Sequence, residues 1–155
     1  MPMTVLIVDD EAGILETLQI LLRNEGFEPH VAAGGKAGLE QIEALSPDIV
    51  LSDVRMPGVS GIELQRKLKA VNNPMPVIVM TAFGSIQDAV LAMKEGALDF
   101  LAKPVDPDHL LLMVERAAAQ RRLVGQLLTS LLPVLDTFDL VEQALGRPIH
   151  LPKIA

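Results

Sequence analysis

The chain has no cysteine, tryptophan or tyrosine, and only four phenylalanines. Without cysteine there is no disulfide, no thiolate metal ligand and no thiol nucleophile. With so few aromatics the core has to be aliphatic. No apolar run approaches the ~20 residues that a membrane-spanning helix needs. The start, Met1-Pro2-Met3-Thr4, lacks the charged and apolar regions of a secretory leader. A soluble, cytoplasmic protein is expected. Positive charge is also short: the net charge is −7, which argues against general affinity for nucleic acid. Residues 1–106 carry 15 acidic and 8 basic side chains, and residues 107–155 carry 5 of each. The tail therefore has no basic stripe, and direct contact with nucleic acid is not expected.

What is present is a globular composition, 50% hydrophobic and 21% charged over 155 residues. That length suits one domain with an appendage. The organising stretch runs from Ile49 to Gly58. Ile49, Val50 and Leu51 form a short apolar run that ends on Ser52-Asp53, and Pro57-Gly58 marks a turn. Asp53 thus falls where a buried strand meets its loop.

Four further strands are predicted. Thr4–Val8 stops at Asp9-Asp10-Glu11, Phe27–Ala32 is weaker, Val77–Met80 is continuously apolar before Thr81, and Leu98–Ala102 precedes Lys103. Between them lie helical patterns. Ile14, Leu15, Leu18, Leu21 and Leu22 mark the first, which closes at Gly26. Ala37, Leu39, Ile42 and Leu45 mark the second. It follows Gly34-Gly35-Lys36, an ordinary turn, because Ala37 stands where a phosphate loop needs Ser or Thr. Ser60-Gly61-Ile62-Glu63 is a capping box opening a third helix, which Asn72-Asn73-Pro74 ends. Ser85 caps a fourth with Ala89, Val90, Ala92 and Met93, and Asp106-Pro107 starts a long fifth. Met80, Met93 and Met113 fall on core-facing spacing.

Alternating strands and helices with short connections predict a doubly wound α/β fold, a (βα)5 parallel sheet. In the flavodoxin-like strand order 2-1-3-4-5, strands 1 and 3 meet at the switch point. Asp9, Asp10 and Asp53 then converge, with Thr81 and Lys103 arriving from strands 4 and 5. Crowded carboxylates repel unless a cation relieves them. Only hard oxygen ligands are offered, so Mg²⁺ fits best. A carboxylate beside Mg²⁺ and a lysine can attack phosphorus and carry an acyl phosphate. Phosphoryl transfer asks mainly for alignment and charge neutralisation. Lys103 supplies charge, while Thr81 Oγ1 and backbone N–H groups after Asp53 bind the remaining oxygens.

Four stretches carry a resemblance: Ile7-Val8-Asp9-Asp10-Glu11, Ser52-Asp53-Val54-Arg55-Met56-Pro57-Gly58, Met80-Thr81-Ala82 and Phe100-Leu101-Ala102-Lys103-Pro104. In this order, over about residues 3–122, they resemble the receiver domain of two-component response regulators. The resemblance implies that Asp53 is the phospho-acceptor for a sensor histidine kinase. It implies that Asp10, Asp53 and the Arg55 carbonyl hold Mg²⁺, with Asp9 assisting through water. Thr81 and Phe100 match the switch pair, Lys103 pairs with the phosphoryl group, and Lys103–Pro104 is a cis peptide. The local wording is most similar to the nitrogen-regulator (NtrC-like) class. Those receivers precede a sigma-factor-activating ATPase and a helix-turn-helix, and neither lies within these residues.

Each residue also has a plainer reading. Asp9-Asp10 alone is a solvated strand end, Thr81 alone a helix cap, and Phe100 alone a core residue. Arg55 and Phe83, two residues past Asp53 and Thr81, either tune hydrolysis or are exposed without a role.

Residues 123–155 form the second expected unit, a helical tail with an extended end. From Leu127 the apolar steps are 4-3-4-3-4, through Leu131, Val134, Phe138, Val141 and Leu145. That is a heptad seam, which favours a homodimer over folding back or docking on a partner. Pro133 is expected to kink or restart the helix. Leu131–Phe138 also resembles a stretch of GrpE-type nucleotide exchange factors. The leading function is a phosphorylation-switched module acting through protein contacts, with no catalysis beyond its own phosphorylation and dephosphorylation. The alternatives are a receiver-regulated chaperone cofactor and a metal-dependent phosphohydrolase. The latter is disfavoured because the chain lacks a D-x-D-x-T strand end and a capping insertion.

Overall fold

The computed structural model describes residues 2–71, 75–82 and 85–146, with side chains through residue 127 and at 129–131, 133, 143 and 146. Two compact units emerge, Met1–Arg121 and Arg122–Ala155.

In the first unit the elements alternate strictly: β1 (Thr4–Val8), α1 (Ala12–Asn24), β2 (Glu28–Ala32), α2 (Gly35–Leu45), β3 (Ile49–Asp53), α3 (Gly61–Ala70), β4 (Val77–Thr81), α4 (Ile86–Lys94) and β5 (Asp99–Ala102). α5 (Pro107–Leu145) follows. The five strands form one sheet in the order β2-β1-β3-β4-β5, and every pairing is parallel. This is the flavodoxin-like doubly wound architecture. β3 and β4 are buried at every position, as strands covered on both faces must be.

Alternation along each strand divides the core into two layers. Val5, Ile7, Ile49, Leu51, Ile78 and Met80 pack with Leu15, Leu18 and Leu22 of α1 and with Leu110, Met113 and Val114 of α5. Leu6, Val8, Val50, Val77 and Val79 face Ile42, Ile62, Leu64, Leu68 and Ala92 from α2, α3 and α4. Each fully buried Leu or Ile contributes about 1.5–3 kcal/mol.

The caps follow the local chemistry. Ser60 Oγ accepts from the Glu63 N–H at 3.1 Å, and Asp106 Oδ1 accepts from the Asp108 N–H at 3.0 Å. Ser85 occupies the N-cap of α4, but its side chain makes no capping hydrogen bond there and instead bonds to Asp88. Gly26, with φ of 88°, sits just past α1, a conformation glycine adopts without penalty.

α4 departs from the expected packing. Ala89 and Ala92 are its buried residues, and Met93 is 42% exposed, whereas Met80 and Met113 are in the core. The short alanines of α4 are buried while its longer apolar side chains, Ile86, Val90, Leu91 and Met93, stay exposed.

In the second unit helix is assigned as far as Leu145, with Pro133 inside it, so the helical assignment runs through the position where a kink or restart was expected. Proline inside a helix removes one backbone donor and crowds the carbonyl four residues earlier. The heptad residues from Val134 onward, and most side chains of the GrpE-like stretch, lie outside the described side chains. The predicted extended end and the Asn72-Asn73-Pro74 stop also lie outside the described residues. No described helix is long and apolar enough to cross a membrane.

Candidate functional site

The sheet register brings four strand ends to one edge. Val8 pairs with Ser52, Asp53 with Met80, and Thr81 with Ala102. The ladder continues one step beyond: the Asp9 N–H donates to the Ala32 carbonyl at 3.2 Å, Val54 N–H to Met80 at 3.0 Å, and Lys103 N–H to Thr81 at 2.8 Å. Asp9, Asp53, Thr81 and Lys103 are therefore fixed by backbone pairing. The Lys103–Pro104 peptide is cis.

Lys103 Nζ lies 2.8 Å from Asp9 Oδ2 and 3.1 Å from Asp53 Oδ2. Asp9 is fully buried, Asp53 is 6% exposed, and Asp10 is exposed. Ligand oxygens of the three carboxylates come within 4.8 Å of one another. Asp9 Oδ1 also accepts the Glu11 N–H at 3.0 Å.

Burial pushes the Asp53 carboxyl above the usual carboxylate range; the Lys103 hydrogen bond opposes this, and the nearby Asp9 charge adds to it. Burial alone would depress Lys103, but its hydrogen bonds to Asp9 and Asp53 outweigh it and hold the ammonium above its ordinary value. One ammonium thus serves two carboxylates in a cluster of three, leaving negative charge for a second cation. The donors are all hard oxygens, one of them solvent-facing, a set that suits Mg²⁺ with retained waters. Asp9, Asp10 and Asp53 could hold it.

Thr81 is buried, and its hydroxyl donates to the Leu101 carbonyl over a long 3.5 Å. Phe100 is 39% exposed on the edge strand β5, so it is not the core residue its type alone suggested. It borders a groove of about 550 Å³ between α4 and β5, with Thr81, Ile86, Ala89, Val90 and Met93.

Two contributors escape motif reading. Arg55 grips Asp88 of α4, with Nε–Oδ2 at 2.7 Å and Nη2–Oδ1 at 3.3 Å. The pairing holds the Asp88 carboxyl below its usual range. Asp88 belongs to no motif; its only sequence signal is an acidic residue in a first helical turn. Gly61 abuts the site from behind: a Cβ there would press into the Asp53 carbonyl and lie 3.1 Å from Val54 Cα. Phe83 lies outside the described residues.

An open parallel α/β sheet with an acidic, lysine-bridged crevice at its switch point defines the class: a flavodoxin-like fold carrying a phosphoryl-transfer type of site. The family model described as response regulator receiver domain matches residues 5–115. The chain belongs to the receiver domain family of two-component response regulators. It is 44% identical over 115 residues to the transcriptional regulatory protein ZraR of Escherichia coli, covering 74% of this chain and 26% of that one. To the transcriptional regulatory protein FixJ of Bradyrhizobium diazoefficiens it is 43% identical over 114 residues, covering 74% and 56%. A receiver domain protein from Clostridium thermocellum superposes with a TM-score of 0.74 at 35% identity, covering 79% of this chain and 98% of that one. NtrX from Brucella abortus gives 0.77 at 32% identity, covering 82% and 29%. ZraR and NtrX are NtrC-like regulators, in keeping with the local wording. The chain spans between about a quarter and just over half the length of these two curated relatives.

Proposed function

We propose that Asp53 is the phospho-acceptor of this receiver and that a sensor histidine kinase is the donor. The observation that carries the reading is Asp53 at the end of the central strand, sharing the Lys103 ammonium with Asp9. An Asp53 Oδ electron pair attacks the phosphorus of a phosphohistidine. The P–O bond forms as the P–N bond breaks, its pair returning to the imidazole nitrogen, which takes a proton from water. Lys103 binds a phosphoryl oxygen, and the Arg55 backbone N–H, already donating to the Asp53 carboxylate, remains beside it. Asp10, Asp53 and the Arg55 carbonyl would hold Mg²⁺, with Asp9 assisting. When bound, Mg²⁺ neutralises the oxygen charge of the transferring group.

Thr81 reports the event. Its long bond to Leu101 yields readily to a phosphoryl oxygen, a stronger acceptor. Once the hydroxyl moves toward Asp53, the half-exposed Phe100 ring can turn into the groove beside α4. Phosphorylation thereby shifts a two-state equilibrium of the α4–β5–α5 face. Catalysis is confined to the chain's own phosphorylation and dephosphorylation.

Residues 1–122 act as the receiver and 123–155 as a coupling tail. Leu123, Leu127 and Leu131 are 56%, 54% and 50% exposed, and exposed leucines at helical spacing favour burial against a second copy. The chain works in the cytoplasm as a homodimer without touching nucleic acid itself.

Labelling by a small phosphodonor with Mg²⁺ tests the acceptor. Wild type gains one phosphoryl group and Asp53→Asn none; equal labelling of both would sink the assignment.

A further inference from the structure

α4 is tied to its neighbours by polar side chains as well as by two small buried residues. Among the described residues, α4 buries only Ala89 and Ala92, while Ile86, Val90, Leu91 and Met93 stay 40–75% exposed. Along its side, three side chains from the segment 55–66 take hold. Arg55 grips Asp88 in the first turn, Gln65 Nε2 donates to the Ala92 carbonyl at 3.4 Å, and Arg66 Nε lies 3.2 Å from Glu95 at the C-cap.

Arg55 differs from the other two because it also touches the candidate acceptor. Its backbone N–H donates to the Asp53 carboxylate, while its guanidinium, on a side chain 76% exposed, is committed to Asp88. One residue therefore joins the phosphoryl site and the start of α4.

We propose that the Arg55 guanidinium is shared between two anions, Asp88 while Asp53 is bare and the phosphoryl group once Asp53 carries one. Asp88 is then a positioning residue: it withholds Arg55 from the incoming phosphoryl group and, when Arg55 leaves, frees the first turn of α4. The inference rests on the reading of Asp53 as acceptor.

The energetics favour exchange. An exposed carboxylate–guanidinium pair is weak, whereas a phosphoryl group offers nearly two charges and three strong acceptor oxygens. Guanidinium binds either anion through the same fork of N–H donors. Asp88 is not stranded on release, since the N-terminal dipole of α4 and the Ser85 side chain still support its charge. This route to α4 is separate from Thr81 and Phe100, which approach through β4 and β5. The Arg66–Glu95 tie provides an internal control, because it braces α4 at its far end without reaching the site.

The test is the rate of phosphorylation of the full chain by acetyl phosphate with Mg²⁺, followed by intact mass. In that reaction an Asp53 oxygen attacks phosphorus, and acetate leaves with the electron pair of the broken P–O bond. Asp88→Asn should react about two- to fivefold faster, the range that an exposed pair of this kind can withhold. Glu95→Gln should match wild type, and Asp88→Asn should give no acceleration in an Arg55→Ala background. An Asp88→Asn rate equal to wild type would overturn the proposal, as would acceleration that persists without Arg55 or appears equally in Glu95→Gln. A second readout needs no substitution: the Arg55 side-chain N–H resonance of wild type should shift when beryllofluoride and Mg²⁺ are added. An unmoved resonance overturns the proposal even if the variants fold poorly. Labelling of Asp53→Asn at the wild-type rate would instead remove the acceptor itself, a failure distinguishable from that of the shared arginine.

Discussion

Lys103 Nζ lies 3.1 Å from Asp53 Oδ2, and the same ammonium is 2.8 Å from Asp9 Oδ2. Strands at opposite sides of the crevice are thus joined through one charge. Removing it leaves buried carboxylates facing each other without compensation, a costly arrangement. Lys103→Ala should lose about 1–3 kcal/mol in urea unfolding without divalent cation, the penalty for stranding such groups. Mg²⁺ should recover part of the loss by binding the folded state alone. Stability equal to wild type without Mg²⁺ would mean that the lysine bridge contributes nothing.

The raised Asp53 carboxyl makes a prediction with a definite sign. Burial leads that shift, with the Lys103 hydrogen bond already opposing it. The folded protein holds the Asp53 proton more tightly than the unfolded chain does. The group's contribution to stability is therefore full below its ordinary value of 3.8 and declines as pH rises through that value toward the raised one. At pH 7 the ionised carboxylate is a net burden that asparagine lacks. Asp53→Asn should raise the Tm in metal-free buffer at neutral pH, and the gain should vanish below the ordinary carboxylate value. Lys103 does not confuse the comparison, since a raised lysine gives its full contribution everywhere below its ordinary 10.5. A Tm lowered by the substitution at pH 7 would contradict the argument.

Gly61 tests how closely α3 must approach the site. A methyl group there meets the backbone of Asp53 and Val54, atoms that cannot swing aside as a side-chain end could. Gly61→Ala should cost about 1–3 kcal/mol, the range for overpacking, although alanine favours helices elsewhere. Phosphorylation of Asp53 should slow as well, because the displaced backbone carries the acceptor. A variant as stable and as reactive as wild type would show that α3 relaxes freely.

The strand order and the positions of Asp9, Asp10, Asp53, Thr81 and Lys103 were legible because apolar runs ending on polar residues survive burial almost unchanged. A strand covered on both faces has few alternatives once its ends are marked by Asp or Thr. Met93 misled for the opposite reason: its spacing is right for a core, but α4 buries only its small residues Ala89 and Ala92 and leaves Met93 exposed. The Arg55–Asp88 pair could not be read at all. It joins residues 33 apart in sequence through long side chains, and neither period nor motif marks such a contact.

The tail offers a prediction separable from the phosphoryl chemistry. In heptad positions Val124 and Leu131 occupy one seam row and Leu127 the other, continued in sequence by Val134, Phe138, Val141 and Leu145. Leu127 and Leu131 are half-exposed within the chain, so replacing them disturbs little of the monomer but places charge at the centre of a paired seam. Leu127→Glu with Leu131→Glu should convert a dimer to a monomer in light scattering, with and without Mg²⁺ and beryllofluoride. Receiver unfolding should stay within about 0.5 kcal/mol of wild type, as expected for exposed positions. A dimer that survives the double substitution would exclude the seam and move self-association to the α4–β5–α5 face. A dimer that forms only with beryllofluoride, and fails in Asp53→Asn, would assign pairing to the phosphorylated receiver rather than to a permanent coiled coil.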